Sequence, residues 1–594
     1  MRLSDYIIHS LEQKGLKHAF FLTGGGAMHM NDSLGQSQKI AHTAFLHEQA
    51  AGIAAEAYAR VTNRPGLLMV TSGPGATNAI TPVSAAWIES TPMLVLSGQV
   101  KRADMIAGQG IRQMGMQEVD IISMVAPITK YAAVVNDPLM IKYHLEKAWH
   151  ETTAERPGPV WLDIPLDVQA WDIEAKSLRS FEAEYQPKAP LEPQIAEVSK
   201  LLRESQRPCL LLGNGLRLSG AAGWVDGFAE KLGIPVLTTW NGIDLIEDDH
   251  PLYIGRPGGV GQRAATIIQQ NCDLFISIGA RLSLLQTGFN HPAFVRAAKH
   301  VMVDIDPHEL RKVNVHPHLS ICCDAAEFMK SLAALHNGPG DYGEWWAYCR
   351  TIMARYPVMM PEYNSPAPFV NSYVFVRALS EAMRGDDIYV CSSSGSALDV
   401  SMTVFKIKKG QRVFSTKGLA SMGFDIPASI GASLASGRKR TVCVTGDGSF
   451  QMNVQELETL ARLNLPVKIF VLDNGGYALI RNSHMGAFSG RLTACTPESG
   501  LTLPDVLKQA RVYGIKSVLI DENFDLGGLG GLLEGPGPLI GKVKVDIAQR
   551  LIPRQASYRN SQGQMESLPL EEMLPRLSDE EMEEIMLIPR FTPE

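Results

Sequence analysis

Two residues with hard oxygen ligands, Asp447 and Asn474, lie 27 positions apart, and each is flanked by glycine, in Gly446-Asp447-Gly448 and Asn474-Gly475-Gly476. Residues without Cβ let backbone approach a ligand closely. A magnesium ion takes about six oxygens and usually shares them with phosphate and water. Asp447, Asn474 and a backbone carbonyl in the second turn, that of Gly476, are suitable protein donors. The segment opening at Gly446, Asp447, Gly448 and Ser449 starts a helical pattern, and a helix N-terminus favours an anion. The chemistry implied is a magnesium-bridged diphosphate. Two ordinary turns would explain the glycines but not the paired oxygen ligands.

The elements that must position these residues are legible around them. Thr441 to Thr445 is a short β-branched apolar run, as a strand buried on both faces should be. Phe450, Val454, Leu457 and Ala461 recur on one helical face. Pro466 ends the helix and Val467 to Leu472 form a second strand. Both turns therefore fall at the carboxyl ends of neighbouring parallel strands, where open α/β sheets bind ligands.

At 594 residues the chain is too long for one core and predicts about three domains. Hydrophobic content of 45%, charged content of 20% and a net charge of −7, without a basic stripe, describe an ordinary globular protein and argue against a nucleic-acid partner. Eight cysteines include no CxxC pair, and most sit in apolar runs, which fits a reducing, cytoplasmic compartment. The start, MRLSDYIIHSLEQKG, reads as an amphipathic domain helix capped by Asp5 rather than a signal sequence. No apolar run approaches the roughly 20 residues of a membrane span.

Residues 1–171 alternate helices with short apolar strands that end in glycine or small polar residues, a doubly wound α/β pattern. Glu48, in FLHEQAAGIAAEAYAR, opens a helix so rich in Ala and Gly that another surface must pack closely against it. Its carboxylate is either a solvated first-turn group favoured by the helix dipole or one whose pKa an apolar wall raises for proton exchange. Glu56, eight positions on, reads as a surface residue. His42, His47 and Arg60 receive no role.

The run Gly446 to Tyr477 resembles the diphosphate-binding motif of thiamine diphosphate enzymes. HEQAA followed by TSGPGATN, Thr71 to Asn78, resembles the pyrimidine-binding domain of their acetolactate synthase branch. The resemblance covers nearly the whole chain. It implies an α/β fold of three doubly wound parallel-sheet domains: a pyrimidine-binding domain at 1–171, a central Rossmann-like domain at 193–337 and a diphosphate-binding domain at 367–550, followed by a tail at 551–594. Linkers are expected near 172–192 and 338–366. In such enzymes the glutamate matching Glu48 holds N1′ of the cofactor's aminopyrimidine, with Pro74 and Asn78 in the adjoining turn. Gly25, in Thr23-Gly24-Gly25-Gly26, would line the reacting carbon. His29 behind it is a proton-donor candidate or a structural histidine, and Gln117 falls where the family has a substrate-side glutamine.

In the last third, Ala420 and Met422 lie in the segment that resembles the bed of the cofactor's central bend, Met422 as the wedge. Ser394, Gly395 and Ser396 fall where diphosphate contacts are expected, although Ser396-Ala397 replaces the Gln-His pair of the family. The tryptophan that branched-chain acetolactate synthases carry after the second turn has no counterpart here. FSGRLTACTPESGL and PLEEMLP resemble acetolactate-synthase-like enzymes of surface-sugar pathways, which leaves Tyr477, Arg481 and His484 as acceptor-side candidates or as solvated loop residues. The middle domain holds FAD in the resembling branch. Gly213, Gly215, the loop Gly255 to Gly261, Arg281, Asp304, Asp306 and Arg156 fit that role, while the stretch after Arg281 departs from it and leaves FAD open.

The function implied is a thiamine diphosphate- and Mg2+-dependent carboligase that decarboxylates a 2-oxo acid, pyruvate foremost. The acyl unit would pass to an aldehyde, keto acid or keto-sugar. The alternatives are a simple decarboxylase, a flavin-linked oxidase or C–C hydrolase, and a non-catalytic regulatory subunit on the same fold. Family members place the cofactor between subunits, which implies a homodimer or homotetramer. The tail either covers the active-site mouth or packs on the surface, with Ser578 to Glu581 capping a short helix.

Overall fold

Short runs of Val, Ile and Leu that are apolar on both faces pair in parallel, because helices then cover both sides of the sheet. The computed structural model describes residues 1–106, 108–184, 190–336, 338–364, 368–393 and 395–591. It contains three six-stranded sheets paired in parallel throughout, each flanked by helices. The first comprises β1 (His18–Phe21), β2 (Ala41–Ala44), β3 (Gly66–Val70), β4 (Met93–Gln99), β5 (Tyr131–Val134) and β6 (Pro159–Pro165), in the order β2-β1-β3-β4-β6-β5. The second comprises β7 (Pro208–Leu212), β8 (Val236–Thr238), β9 (Tyr253–Gly255), β10 (Leu274–Ile278), β11 (Lys299–Asp304) and β12 (Leu319–Cys322), in the order β12-β11-β10-β7-β8-β9, the Rossmann winding. The third comprises β13 (Ile388–Cys391), β14 (Arg412–Phe414), β15 (Thr441–Gly446), β16 (Val467–Asp473), β17 (Lys516–Ile520) and β18 (Leu539–Lys544), in the order β14-β13-β15-β16-β18-β17. The first and third sheets are thus wound alike.

These two units share one hydrophobic core. At its centre the helix Glu48–Thr62 lies along the helix Asp425–Ala435. A Cβ on Gly431 would stand 2.2 Å from the Ala54 carbonyl oxygen, so only glycine permits that approach. The Ala/Gly composition of the first helix therefore has the packing surface it requires.

Glu56 is not a surface residue. It is fully buried on the face of Glu48–Thr62 turned inward, 3.5 Å from Arg60 Nη1, and neither carboxylate oxygen has a hydrogen-bond partner. Its helix is covered on both sides, a context that its own sequence spacing does not reveal. Arg60, buried as well, lies 3.8 Å from Glu89 and donates to the Ser415 carbonyl at 2.7 Å, while Arg412 donates back to the Arg60 carbonyl. Arg412 and Arg217 both pair with Asp244, each at 2.8 Å, and the Arg412 pair joins the third unit to the middle one.

Other expectations change in detail. Asp5 does not cap the first helix; that helix starts after Arg2, and Asp5 accepts instead from Arg2 and the Ser33 hydroxyl. The single helix expected after Gly448 is two, Asp447–Met452 and Glu456–Leu463, because Asn453 leaves helical geometry and its amide donates to the Gly423 carbonyl. The stretch 338–366, expected to be a linker, contains the helix Gly343–Arg355, whose Trp345, Cys349 and Ile352 enter the core of the middle unit. The tail packs on that same core through Leu570, Met582 and Ile585, and Ser578 accepts the Glu581 N–H as the cap of the helix Asp579–Ile585. None of the eight cysteines is in a disulfide.

Two outcomes follow from the shared core. Gly431→Val should lower the midpoint of thermal unfolding, since overpacking costs about 1–3 kcal/mol or more. Gly227→Ala, on a helix with open space around it, should leave the midpoint unchanged or raise it. Burial raises the Glu56 carboxyl from 4.5 to about 7, with Arg60 opposing and Glu89 assisting. The folded state therefore holds that proton more tightly than the unfolded chain. Its stabilising effect is complete below about 4.5 and is lost as pH rises through about 7. Denaturant titrations of Glu56→Gln across that window should show a shallower loss of stability than the parent.

Candidate active site

In the third sheet the turns after β15 and β16 meet. Asp447 is buried, and its Oδ2 accepts the backbone N–H groups of Asn474 (3.1 Å), Gly475 (2.8 Å) and Gly476 (3.2 Å). Its Oδ1 accepts the Gly448 N–H at 2.8 Å, and Asn474 Oδ1 accepts the Gly476 N–H at 3.2 Å. Carboxylate, amide oxygen and turn backbone thus converge. Burial, and then the nearby Asp473 carboxylate, raises the Asp447 carboxyl, a strain that a bound cation would relieve. Among the described residues no three His, Cys, Asp or Glu side chains converge as a metal-binding group. A donor set of one carboxylate with neutral oxygens suits magnesium shared with an anionic ligand better than zinc. The Oγ atoms of Ser393 and Ser421 and Oγ1 of Thr416 are buried without a hydrogen-bond partner at the same edge of the sheet. Buried hydroxyls in that state call for an acceptor, as the oxygens of a diphosphate would be.

Met422 and Tyr477 close over this turn. A Cβ on Gly448 would lie 2.3 Å from the Tyr477 ring and 3.2 Å from the Met422 methyl. Ala420 sits two residues before Met422 with φ 57°, in the left-handed region. Asp425, to which the sequence reading gave no role, fastens this segment to the Gly446–Ser449 turn. Fully buried, its Oδ2 accepts the hydroxyls of Thr445 (2.5 Å) and Ser449 (2.6 Å), and Ser449 Oγ in turn accepts the Gly423 N–H at 2.9 Å. Gly395, with φ 66°, and Ser396 open the helix Gly395–Val404 at the end of β13; Ser394 lies outside the described residues.

In the first sheet, the turns after β1 and β3 form the matching edge. Glu48 is the first residue of its helix and only 7% exposed, so it is not a solvated first-turn group. Its Oε2 accepts from Asn78 Nδ2 at 3.0 Å, and Gly75 leaves room for Oε1. His47 caps that helix through Nδ1, which accepts the Gln49 N–H at 3.1 Å. Glu456 Oε1 accepts the Leu46 N–H at 3.1 Å and ties the Glu48 loop to the third unit. The sequence reading missed both, although a histidine directly before a helix is a visible cap position. Gly26 donates to Thr71 Oγ1 at 3.0 Å, while Gly25 and Pro74 face outward, and His29 is half-buried on the helix Met28–Gln36 that follows. Gln117 is exposed with φ 67°, its backbone against Gly73. Its neighbour Glu118 is buried and accepts the N–H groups of Ile106, Met114 and Gly115, which shapes that loop.

Three family models match along the chain in this order: the thiamine pyrophosphate enzyme N-terminal binding domain at residues 1–124, the central domain at 195–332 and the C-terminal binding domain at 394–529. Acetolactate synthase 2, chloroplastic, of Zea mays is 32% identical over 566 residues, 93% of this chain and 86% of that protein. The chain belongs to the acetolactate synthase-like thiamine pyrophosphate enzymes. The acetolactate synthase isozyme 1 large subunit of Escherichia coli is 29% identical across 93% of this chain and 95% of its own length. The acetolactate synthase large subunit of Corynebacterium glutamicum is 34% identical over 86% and 82%.

Within this enzyme of the thiamine pyrophosphate family, a cavity of about 720 Å3 opens at the carboxyl ends of β7, β8, β10 and β11. Arg156, Gly215, Arg281 and Asp304 line it, with Glu89 and Lys417 from the other units. Arg156 is held by Asp306 (2.8 Å) and Glu309 (2.9 Å). Gly213 and Gly215 pack against Gly279, so their missing Cβ atoms serve the approach of two turns. Tyr477 is half-buried beside Gly448. Arg481 and His484 lie on the helix Ala478–Ala487, none of whose residues is buried. His484 shares a shallow pocket with Arg491, which the sequence reading passed over. Among the described residues no helix is long and apolar enough to cross a membrane.

Asp425→Ala should weaken cofactor binding at least tenfold, because the Thr445 and Ser449 hydroxyls lose their acceptor at a cost of about 1–3 kcal/mol. Titrating thiamine diphosphate at fixed magnesium, by quenching of intrinsic fluorescence, checks this. Asp425→Asn, which keeps an acceptor oxygen, should lose less.

Proposed function

We propose that the chain is a magnesium- and thiamine diphosphate-dependent carboligase that decarboxylates a 2-oxo acid, pyruvate foremost, and transfers the acyl unit to a carbonyl acceptor. One observation carries this reading: the Asp447 carboxylate is turned onto the Asn474–Gly476 backbone at the ends of adjacent strands. Asp447, Asn474 and the Gly476 carbonyl would hold magnesium. Gly446, Gly448, Ser449, Ser394, Gly395 and Ser396 would receive the diphosphate, while Ala420, Met422 and Tyr477 would bed the bend of the cofactor. Bound there, the cofactor supplies the electron sink that lets a 2-oxo acid lose CO2.

The remaining steps belong to side chains. Glu48, shielded from water and steadied by Asn78, would hold the proton at the aminopyrimidine N1′, with Pro74 as the adjoining wall. Gly25 would keep the reacting centre open to substrate, and His29 and Gln117 would orient it. Tyr477, Arg481 and His484 would meet the acceptor, whether aldehyde, keto acid or keto-sugar. The names of the relatives, acetolactate synthases, support pyruvate as donor.

The 720 Å3 cavity supports FAD as a second cofactor, which Asp304, at the end of β11, would meet at a ribose hydroxyl and Arg281 at a phosphate. A homodimer or homotetramer with the site between subunits is supported by exposed apolar side chains beside it, Met116 (86%), Met485 (50%) and Phe488 (50%). Cysteines without disulfides support a cytoplasmic setting. The domain division proposed is 1–171, 193–337 and 367–550, with a tail at 551–594.

Glu48→Gln should retain the fold and bind cofactor but lose at least a hundredfold in CO2 release from pyruvate, the typical contribution of an acid–base group being about 10²–10⁴. Asp447→Ala should abolish magnesium-dependent cofactor binding in the same fluorescence titration. Undiminished turnover in Glu48→Gln would sink the mechanism.

A further inference from the structure

A second cavity, of about 270 Å3, shares no lining residue with the first and lies where the tail meets the segment 355–362, the start of the helix Arg263–Asn271 and the end of the helix Gly395–Val404. Arg263 lines it and opens the helix Arg263–Asn271. Although only 7% exposed, its guanidinium is incompletely engaged. Nη2 donates to the carbonyls of Pro575 (2.5 Å) and Met573 (3.5 Å), whereas Nη1 is buried with no hydrogen-bond partner. Cζ stands 5.9 Å from the centre of the Tyr356 ring, another lining residue. A dry N–H group on a cation is costly unless an acceptor completes it.

The rest of the lining says what that acceptor is attached to. Val358, Met360, Pro553 and Leu577 supply apolar wall. Of the charged lining residues, Arg355 is engaged with Glu581 (3.1 Å) and Glu584 (2.9 Å), Arg576 is exposed, and Glu362 is the one acid opposite three arginines. With Arg355 neutralised by Glu581 and Glu584, what favours an anion is the unpartnered Nη1 of Arg263 at the N-terminal end of a nine-residue helix. With Nη2 already engaged, the two N–H groups of Nη1 suit a carboxylate, and the apolar walls suit a hydrocarbon body rather than the wholly polar surface of a phosphate.

We propose that this cavity is a second ligand site that takes a small monocarboxylate with a branched aliphatic or aromatic body, its carboxylate on Arg263 Nη1. A ligand there touches the tail, the preceding segment and Thr403 at once. It thereby fastens the tail to the helix Gly395–Val404, whose last turn is already held by Gln262 donating to the Thr403 carbonyl at 2.7 Å. The inference does not depend on the proposed reaction.

Calorimetric titration of the full chain with 4-methylpentanoate, benzoate and inorganic phosphate tests it, with and without magnesium and thiamine diphosphate. The expected result is one saturable site per chain for at least one carboxylate, none for phosphate, no displacement by pyruvate, and slower tryptic cleavage at Arg576 when the ligand is bound. Arg263→Met should weaken binding at least tenfold. Should that variant fail to fold, Val358→Trp fills the cavity with Arg263 intact and should remove binding. Absence of saturable carboxylate binding, displacement by pyruvate, or unchanged affinity in the folded Arg263→Met or the Val358→Trp chain would overturn the proposal.

Discussion

The contact on which the rest depends is the approach of two helices at Gly431. With the Ala54 carbonyl 2.2 Å from where a Cβ would stand, the helices Glu48–Thr62 and Asp425–Ala435 are held as close as backbone allows. Each carries a buried carboxylate in its first turn, Glu48 on one and Asp425 on the other. Asp425 in turn fixes the Gly446–Ser449 turn and the Met422 segment through hydroxyls. Separating the helices by the width of one methyl group would therefore shift both halves of the candidate site within a chain.

Electrostatics reinforce that packing at a cost. Burial acts to raise the Asp244 carboxyl, but the guanidiniums of Arg217 and Arg412 outweigh it and hold it below the usual carboxylate range. Glu56 has only Arg60 to offset its burial, and its carboxyl rises instead. Two acids within one junction thus respond oppositely, because one has two cations and hydrogen-bond donors and the other has a single cation and no donor. Such buried pairs add little net stability but are strongly destabilising when one partner is removed.

Much of this was legible in the sequence where local rules govern. The strand–turn–helix grammar around Asp447 and Asn474 foretold two turns at one sheet edge, and the Ala/Gly run after Glu48 foretold close packing. What escaped depends on tertiary context. Glu56 reads as solvated by spacing alone, since nothing near it in sequence announces that a second helix covers that face. Asp425, His47, Glu118 and Glu456 are ordinary polar residues until their hydrogen-bond partners, up to 410 positions away for Glu456 and Leu46, are known. The helix Gly343–Arg355 falls in a stretch that reads as linker, because the core that its Trp345, Cys349 and Ile352 enter is assembled from strands far away in sequence.

The common strand order of the first and third sheets carries a consequence of its own. Two units of one winding present the same edge, the turns at the carboxyl ends of their central strands, so an elongated guest with unlike ends can be held by a repeated framework. Only the turn residues need differ: Thr-Gly-Gly-Gly and Gly-Pro-Gly in one copy, Gly-Asp-Gly in the other. Two copies of one winding, differing at a few loop positions, would suffice to build both halves of such a cradle.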